Sequence, residues 1–210
     1  MAAPPMTRGK FITLEGIDGA GKSTHLEHLS ALVEARGRRA LLTREPGATS
    51  FGKGLREVVL HQQTSALAEA LVMFADRAAH VEDEIEPALA AGTWVICDRF
   101  SDSTYAYQCG GRGLARDIVV QLERIAHPGL QPDATFLFDI DPATAHERQR
   151  GRSQAADGFE SRGLDYFTRV RDAYLERQRE HPGRIRIVDA SGDLQAVRAR
   201  LQRAFEDAFA

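Results

Sequence analysis

The sequence predicts an α/β fold in which helices flank a five-stranded parallel sheet to form a three-layer sandwich, and three observations support this fold. Short apolar runs alternate with amphipathic segments of helical periodicity along the chain, as expected where helices cover both faces of a parallel sheet. The run WVIC at 94–97 is wholly apolar, which is typical of a strand buried on both faces. A glycine-rich segment, GIDGAGKS, occupies residues 16–23 between the first apolar run and a helical pattern.

Each element is predicted from its own local pattern. The first strand is predicted at 11–14, and the helix after the glycine-rich segment places Leu26, Leu29, Leu32 and Val33 on one face before Gly37 ends it. Further strands are predicted from short apolar runs at 40–43, 94–97, 134–140 and 184–188. Further helices are predicted from apolar residues at helical spacing at 51–60, 66–80, 84–91, 114–126, 143–150, 164–180 and 194–209.

The domain organisation follows from the absence of any linker-like or repeated stretch in the sequence. Residues 1–210 are therefore interpreted as one domain. The polar stretch 152–163 follows a predicted helix and is interpreted as a short mobile lid, which extends over about 148–163 when the end of that helix is included.

Composition limits the partners and the compartment. Lys and Arg number 27 against 30 Asp and Glu, for a formal charge of -3, which disfavours a nucleic-acid partner held by overall charge. The cysteines Cys97 and Cys109 have neither metal-ligand spacing nor enough partners for a disulfide framework. No apolar stretch approaches the roughly 18 residues of a membrane span, and no secretory signal is recognisable at the N-terminus. We expect a soluble cytoplasmic protein.

The glycine-rich segment matches the P-loop pattern, with Gly16, Gly21, Lys22 and Ser23 at the required spacing between a strand and a helix. Glycines allow successive backbone N–H groups to surround phosphate oxygens, and the helix N-terminus adds the positive end of its dipole. The lysine reaches the β- and γ-phosphates, and the serine hydroxyl ligates Mg²⁺. The sequence thus predicts a P-loop NTPase-type fold that binds ATP and Mg²⁺ through the following residues: Gly16, Ile17, Asp18, Gly19, Ala20, Gly21, Lys22, Ser23 and Thr24.

Marker residues narrow the class of P-loop protein. None of the three lysines lies in the Asn-Lys-x-Asp motif with which GTPases read guanine, and residues 17–20 lack the second lysine of partition-type ATPases. Phosphoryl transfer onto a small acceptor is therefore favoured, and a non-catalytic nucleotide-binding or switch module is the alternative from another class.

Four further segments are predicted to lie on loops after strands, where ligands bind in open α/β sheets. They are TREPGAT at 43–49, FADR at 74–77, DRF at 98–100 and YAYQCGGRG at 105–113. With Asp18 inside the P-loop, this ordered set resembles bacterial thymidylate kinase, and the resemblance extends from about residue 9 to residue 209. Ala48 and Cys109 replace glycines that are usual in the family.

The resemblance implies the activity and the assembly. It implies ATP-dependent phosphorylation of dTMP to dTDP by direct in-line transfer, a step of dTTP biosynthesis, with ATP and Mg²⁺. It also implies a homodimer packed through the helices at 51–60 and 66–80. Another P-loop nucleotide or nucleoside kinase with a different acceptor is the nearest alternative.

The resemblance also implies which residues bind dTMP. Asp18 accepts a hydrogen bond from the 3′-hydroxyl, and Arg44 and Arg99 bind the acceptor phosphate. By the same resemblance, Phe74 stacks on thymine and Arg77 donates a hydrogen bond to its carbonyl group. Thr104 and Gln108 are implied to read the edge of the base, and Tyr107 is implied to contact the sugar. Many relatives place the stacking aromatic four residues before the arginine, where this chain has Met73, so either side chain is a candidate.

The transfer step needs positioning and charge neutralisation more than covalent chemistry. Some thymidylate kinases carry a catalytic arginine in the P-loop, but this P-loop has none, so the lid is expected to supply it. The catalytic candidates are Lys22, Arg99, Arg148 and Arg152, with Arg150 between the last two. Asp98 is a candidate Mg²⁺ ligand, directly or through water, or a residue that merely orients Arg99. Ala190 follows the last predicted strand, where the resemblance places a backbone contact to adenine.

Overall fold

The fold is built on a parallel sheet in this computed structural model, which describes residues 7–150 and 163–210. Within those residues the sheet has five strands in the order β2-β3-β1-β4-β5. The strands are β1 (Phe11–Glu15), β2 (Ala40–Arg44), β3 (Trp94–Asp98), β4 (Ala134–Asp139) and β5 (Ile185–Asp189). β1 lies between β3 and β4, so the connections from this central strand lead toward both edges of the sheet. Open α/β sheets form their ligand crevice at the carboxyl end of the strands, at the point where the direction of the connections reverses.

Helices connect the strands and cover the sheet. They are α1 (Leu26–Glu34), α2 (Ser50–His61), α3 (Ala66–His80), α4 (Glu86–Ala90), α5 (Ser101–Thr104), α6 (Arg116–Ala126), α7 (Pro142–Arg150), α8 (Leu164–Glu180) and α9 (Leu194–Ala208). A 3₁₀ turn, Lys22–His25, precedes α1, and π-helical segments at Val81–Ile85 and Tyr105–Gly111 continue α3 and α5. Side-chain oxygens of Thr49, Ser65 and Asp193 cap α2, α3 and α9 by accepting from backbone N–H groups.

The core lies on both faces of the sheet because successive strand residues point to opposite sides. Along β1, Phe11 belongs to the apolar cluster formed with α4 and β3, whereas Ile12 and Leu14 belong to the larger cluster formed with α1, α8 and α9. All three side chains are buried. Packing on both faces holds β1 in the centre of the sheet. It thereby fixes the position of the carboxyl end of β1, where the P-loop begins.

The predicted α/β sandwich is confirmed, and each predicted strand and helix occurs within a few residues of its expected bounds. Two motif segments that were expected on loops after strands lie in helices, and the first of them falls inside the helix predicted at 66–80. The segment 74–77 lies inside α3, and most of 105–113 lies in the π-helical segment. In both, the side chains that face inward are buried at helical spacing, so packing against α6 and α8 favours continued helix. None of the helices in the described part of the chain is long and apolar enough to cross a membrane.

Candidate active site

The P-loop joins β1 to the 3₁₀ turn before α1, and its glycines are required by its shape. Gly16, Gly19 and Gly21 have φ values of 137°, 84° and 89°, a region that side chains with a Cβ rarely adopt. A Cβ at Gly16 would collide with the carbonyl oxygen of Phe138, and one at Gly19 with that of Ala145. The loop is therefore pressed against β4 and α7 while its N–H groups remain free to curve around an anion.

Lys22 lies buried inside this loop. Its Nζ donates to the carbonyl oxygens of Gly16 at 2.9 Å and Ile17 at 3.1 Å. Burial and the positive charge of Arg99 lower the pKa of Lys22 to about 8, against the opposing effect of nearby carboxylates. The ammonium is thus held at the loop by carbonyl oxygens that a phosphate oxygen can replace.

Ser23 and Asp98 bring together oxygen atoms suited to a hard cation. The Ser23 hydroxyl donates to Oδ2 of Asp98 at 2.7 Å. Oδ1 of Asp98 is buried and has no hydrogen-bond partner among residues 7–150 and 163–210. Since Mg²⁺ takes oxygen ligands and is usually held by one or two carboxylates besides phosphates and waters, this pair fits the cation.

Arg99 occupies the centre of the site in an unusual backbone conformation. Its φ is 75°, a left-handed value that costs a side-chain-bearing residue about 1–3 kcal/mol. Its Nη groups donate to the Asp18 carboxylate, the hydroxyls of Tyr107 (3.0 Å) and Tyr174 (3.1 Å), Oγ of Ser103 (3.1 Å) and the carbonyl oxygen of Gly16 (3.1 Å). Arg99 therefore connects the P-loop to the segment after β3.

Asp18 is the acidic partner of Arg99. Burial raises the pKa of Asp18, but the charges of Arg99 and Lys22 outweigh that effect and the net shift is downward. Asp18 also accepts a hydrogen bond from the Tyr107 hydroxyl at 3.0 Å. The carboxylate is thus held ionised between the P-loop and Tyr107, in a position to accept from a ligand hydroxyl.

Glu15 holds the residues that contact Arg99. It was not identified as a site residue from the sequence. The fully buried carboxylate accepts from the backbone N–H of Phe100 at 2.8 Å, from Ser103 at 2.6 Å and from the Tyr174 hydroxyl at 2.9 Å. Burial, with the charge of Asp102 nearby, raises the pKa of Glu15 to about 7. The signal available in the sequence was an acidic residue at the end of a buried strand, directly before the P-loop. The sheet directs a side chain at that position toward the end of β3.

A cleft, which we call the phosphate cleft, lies over the P-loop. It is lined by P-loop residues and by a set of cations: Lys22, Arg44, Lys53, Arg56 and Arg99. Arg44 is exposed, and its guanidinium has no hydrogen-bond partner among the described residues. Asp98 lies in the same cleft. The positive groups and the P-loop amides make it suited to phosphate groups.

A second cavity adjoins the cleft, and Asp18, Glu45, Arg56 and Arg99 line both. We call it the acceptor cavity; its other walls include Met73, Arg77, Thr104, Tyr107 and Gln108. The structure thereby brings together most of the residues predicted to bind the acceptor, at the point where the cavity meets the phosphate cleft.

Arg77 is fixed at the far end of the acceptor cavity. Its Nε donates to Oε2 of Glu45 at 2.7 Å and its Nη1 to the hydroxyl of Thr104 at 3.3 Å. Burial raises the pKa of Glu45, but the charge of Arg77 and the hydrogen bond from His80 reverse the shift. Glu45, although part of the TREPGAT segment, was not assigned a role from the sequence.

Phe74 does not line the acceptor cavity, whereas Met73 does. The Phe74 ring is buried, with the Arg77 guanidinium 4.5 Å from its centroid and the His127 ring stacked on it at 6.1 Å. Phe74 thus packs behind Arg77, and Met73 faces the cavity from the same helix.

The loop after β5 lies against the end of α7. Ala190 donates its N–H to the carbonyl oxygen of Asp139 at 2.8 Å. The carbonyl oxygens of Ala190 and Gly192 accept from Arg148 at 3.0 and 3.2 Å, and Arg148 is not among the described residues that line the phosphate cleft. Arg152, the Arg150 side chain and lid residues 151–162 lie outside what the structure describes.

Comparisons with known proteins point to one family. A family model described as thymidylate kinase matches residues 14–201. A thymidylate kinase from Burkholderia vietnamiensis is 54% identical over 202 residues, covering 94% of this chain and 98% of its own, and one from Thiobacillus denitrificans is 50% identical over 199 residues, covering 95% and 97%. The crystal structure of thymidylate kinase from Ehrlichia chaffeensis superposes with a TM-score of 0.78 at 30% identity, covering 94% of this chain and 99% of that one.

Proposed function

This chain belongs to the thymidylate kinase family and phosphorylates dTMP with ATP and Mg²⁺, and we propose that the phosphate cleft and the acceptor cavity hold its two nucleotides. The observation that carries this arrangement is that Asp18 and Arg99 line both cavities. The donor γ-phosphate and the acceptor phosphate then meet at Arg99. Within residues 7–150 and 163–210, no feature of the site favours a different acceptor.

On the donor side, the P-loop amides and Lys22 hold the ATP phosphates, and the backbone at Ala190 contacts adenine. Ser23 and Asp98 would hold Mg²⁺, and Oδ1 of Asp98, which has no hydrogen-bond partner among the described residues, is the candidate ligand atom. The cation supplies neutralisation of negative charge on the phosphates.

On the acceptor side, Arg44 and Arg99 bind the dTMP phosphate, for which planar guanidinium groups are suited. Asp18 accepts from the 3′-hydroxyl, and Tyr107, held by Asp18 and Arg99, lies against the sugar. Arg77, Thr104 and Gln108 read the base edge. Met73 contacts the face of the base, and Phe74 supports Arg77 from behind.

In the transfer step, an oxygen of the dTMP phosphate attacks the γ-phosphorus of ATP in line with the leaving ADP oxygen, and the bond to that oxygen breaks. No general base is required because the acceptor phosphate is already ionised at neutral pH. Arg99 holds the attacking phosphate, and Lys22 holds the donor phosphates. A lid arginine, Arg148 or Arg152, neutralises charge on the transferred group; Arg148 would exchange its bonds to Ala190 and Gly192 for that role.

The whole chain acts as one kinase domain with a lid at about 148–163, and it works as a homodimer in the cytoplasm. Free cysteines at Cys97 and Cys109 agree with a reducing compartment. Large apolar side chains exposed on α2, α3 and α6 support a homodimer.

A steady-state assay with dTMP, dUMP, dCMP and dGMP tests this assignment. Turnover of dTMP should exceed that of the other three nucleotides. Lys22→Ala should reduce the turnover of dTMP by at least about 10³-fold, because the substitution removes the ammonium group that neutralises charge on the transferred phosphoryl group. The melting temperature of Lys22→Ala should stay close to that of the wild type. Equal turnover of another monophosphate would reject the acceptor assignment, and retained activity in Lys22→Ala would reject the P-loop assignment.

A further inference from the structure

The Gln108 side chain lies between the acceptor cavity and a buried carboxylate. Gln108 is 1% exposed and lines the cavity, whereas Glu69, 2% exposed, is not among the described residues that do. Nε2 of Gln108 donates to Oε1 of Glu69 at 2.7 Å. Arg112 also donates to Glu69, and to the carbonyl oxygen of Thr64, so the charge of the carboxylate is balanced on the side away from Gln108.

This contact decides which way the Gln108 amide faces. An amide carries a donor, Nε2, and an acceptor, Oε1, and the two ends are distinguished by their hydrogen-bond partners. A carboxylate only accepts, so it must face the donor end. Turning the amide over would place Oε1 of Gln108 against the carboxylate oxygen in a buried site, where neither atom can donate to the other, which is unfavourable. Oε1 is therefore the end of Gln108 left to face the cavity.

Arg77 also lines the cavity, and its guanidinium is a cation that only donates. Its Nε and Nη1 are held by Glu45 and Thr104, so the guanidinium has one orientation. The cavity therefore presents a fixed donor and a fixed acceptor. A thymine or uracil imide is complementary to such a pair because its O4 accepts and its N3–H donates. Cytosine has the opposite pattern, with a donor at N4 and an acceptor at N3.

We propose that Glu69 is the positioning residue for base selection: it fixes Oε1 of Gln108 toward the acceptor cavity, so that Gln108 accepts from an imide N3–H and opposes cytosine. Glu69 acts through Gln108 without touching the substrate. The inference rests on the proposed function, in which Gln108 reads the base edge of dTMP.

The test is Glu69→Gln, which keeps the shape of the side chain but offers both a donor and an acceptor to Gln108. The Gln108 amide is then satisfied in either orientation. We expect the ratio of kcat/KM for dTMP to that for dCMP to fall about tenfold, the effect of one neutral hydrogen bond. The ratio for dTMP to dUMP should not change, because both bases present the same imide edge. The KM for ATP should also stay constant.

Gln108→Ala and the double variant Glu69→Gln/Gln108→Ala complete the measurement. If Glu69 acts through Gln108, Glu69→Gln has no further effect on the dTMP/dCMP ratio once Gln108 is alanine. Additive effects, or a fall in the dTMP/dUMP ratio of equal size, would overturn the inference in favour of a structural role.

The role of Glu69 and the role of Gln108 can be rejected separately. A dTMP/dCMP ratio that falls in Gln108→Ala but not in Glu69→Gln rejects the role of Glu69 alone. A ratio unchanged in Gln108→Ala removes Gln108 from the base site and rejects both. Should Glu69→Gln not fold, Glu69→Gln with Arg112→Gln, which removes both buried charges together, takes its place in the same cycle.

Discussion

At the scale of single residues, the site depends on keeping Arg99 in a backbone conformation that is unfavourable by itself. The N–H of Arg99 donates to the carbonyl oxygen of Leu14, and the next N–H, of Phe100, donates to the Glu15 carboxylate. These two bonds hold the peptide units on both sides of the left-handed residue. Glu15 also receives the hydroxyls of Ser103 and Tyr174, which in turn accept from Arg99. One buried carboxyl group thus orders both the backbone and the side chain of Arg99.

Replacing Glu15 should change how stability depends on pH. The pKa of Glu15 is raised to about 7, from an ordinary value of 4.5, so the folded protein keeps a proton that the unfolded chain releases. The stability gained from that proton is complete below about pH 4.5 and is lost as the pH rises through 7. In Glu15→Gln this titration is gone. We expect the wild type to lose more stability than Glu15→Gln between pH 5 and 7.5, measured by urea unfolding.

The exposed Glu82 provides the control for this prediction. Glu82→Gln should keep the pH dependence of the wild type. If the stability curves of Glu15→Gln and the wild type run parallel over this range, Glu15 does not titrate there and its proposed protonation is wrong.

At the scale of elements, α7 connects the two ends of the donor site. It begins beside the P-loop, where Ala145 packs against Gly19, and near its end Arg148 holds the loop after β5. Arg148, in the last turn of α7, therefore connects this helix to the backbone of Ala190, which contacts adenine in the proposed arrangement.

Alanine variants of the lid arginines should separate their roles. Arg152→Ala and Arg148→Ala should each lower kcat more than the affinity for dTMP, and for the arginine on the transferred phosphoryl group the loss should approach roughly 10³-fold. Arg148→Ala should in addition raise the KM for ATP, because it releases the carbonyl oxygens of Ala190 and Gly192. Steady-state kinetics with both substrates measure this. The exposed Arg179 on α8 is the control, and unchanged kcat in both lid variants would place the catalytic arginine elsewhere.

At the scale of the whole molecule, the apolar surface is concentrated on one group of helices. α3 packs against both α2 and α6. Exposed apolar side chains on these helices include Phe51, Val58, Leu67, Leu71 and Ile125. An exposed apolar patch shared by neighbouring helices is typical of a protein interface, and a second copy of the chain covers it in the proposed homodimer.

Charges placed in this patch should dissociate the dimer. Phe51→Glu combined with Leu71→Glu buries two carboxylates without partners in the interface, which is strongly unfavourable. We expect light scattering after size exclusion to give the mass of a monomer for the variant and twice that mass for the wild type. Leu194→Glu, at the start of α9 and away from the patch, should leave the mass unchanged. A wild type that is itself monomeric would reject the homodimer.

Local patterns were sufficient to predict most of the fold. Apolar periodicity placed the strands and helices within a few residues, because it reports which face of each segment is buried. The spacing of Gly16, Gly21, Lys22 and Ser23 predicted the P-loop, because its glycines are required by positive φ angles and close packing. The φ angles are a local requirement, so the spacing of the glycines along the chain reveals them, although the groups that pack against Gly16 and Gly19 lie far away in the sequence.

Only the tertiary structure decided how the site is supported. Met73 and Phe74 are adjacent, and a rotation of about 100° per residue around α3 puts one in the acceptor cavity and the other behind Arg77. Glu15 and Glu69 are acidic residues without a motif of their own, and their partners lie far along the chain. The order of the strands and the packing of α3 on the π-helical segment bring them there. A buried carboxylate gains its role from the donors that surround it, and those donors are set by the whole fold.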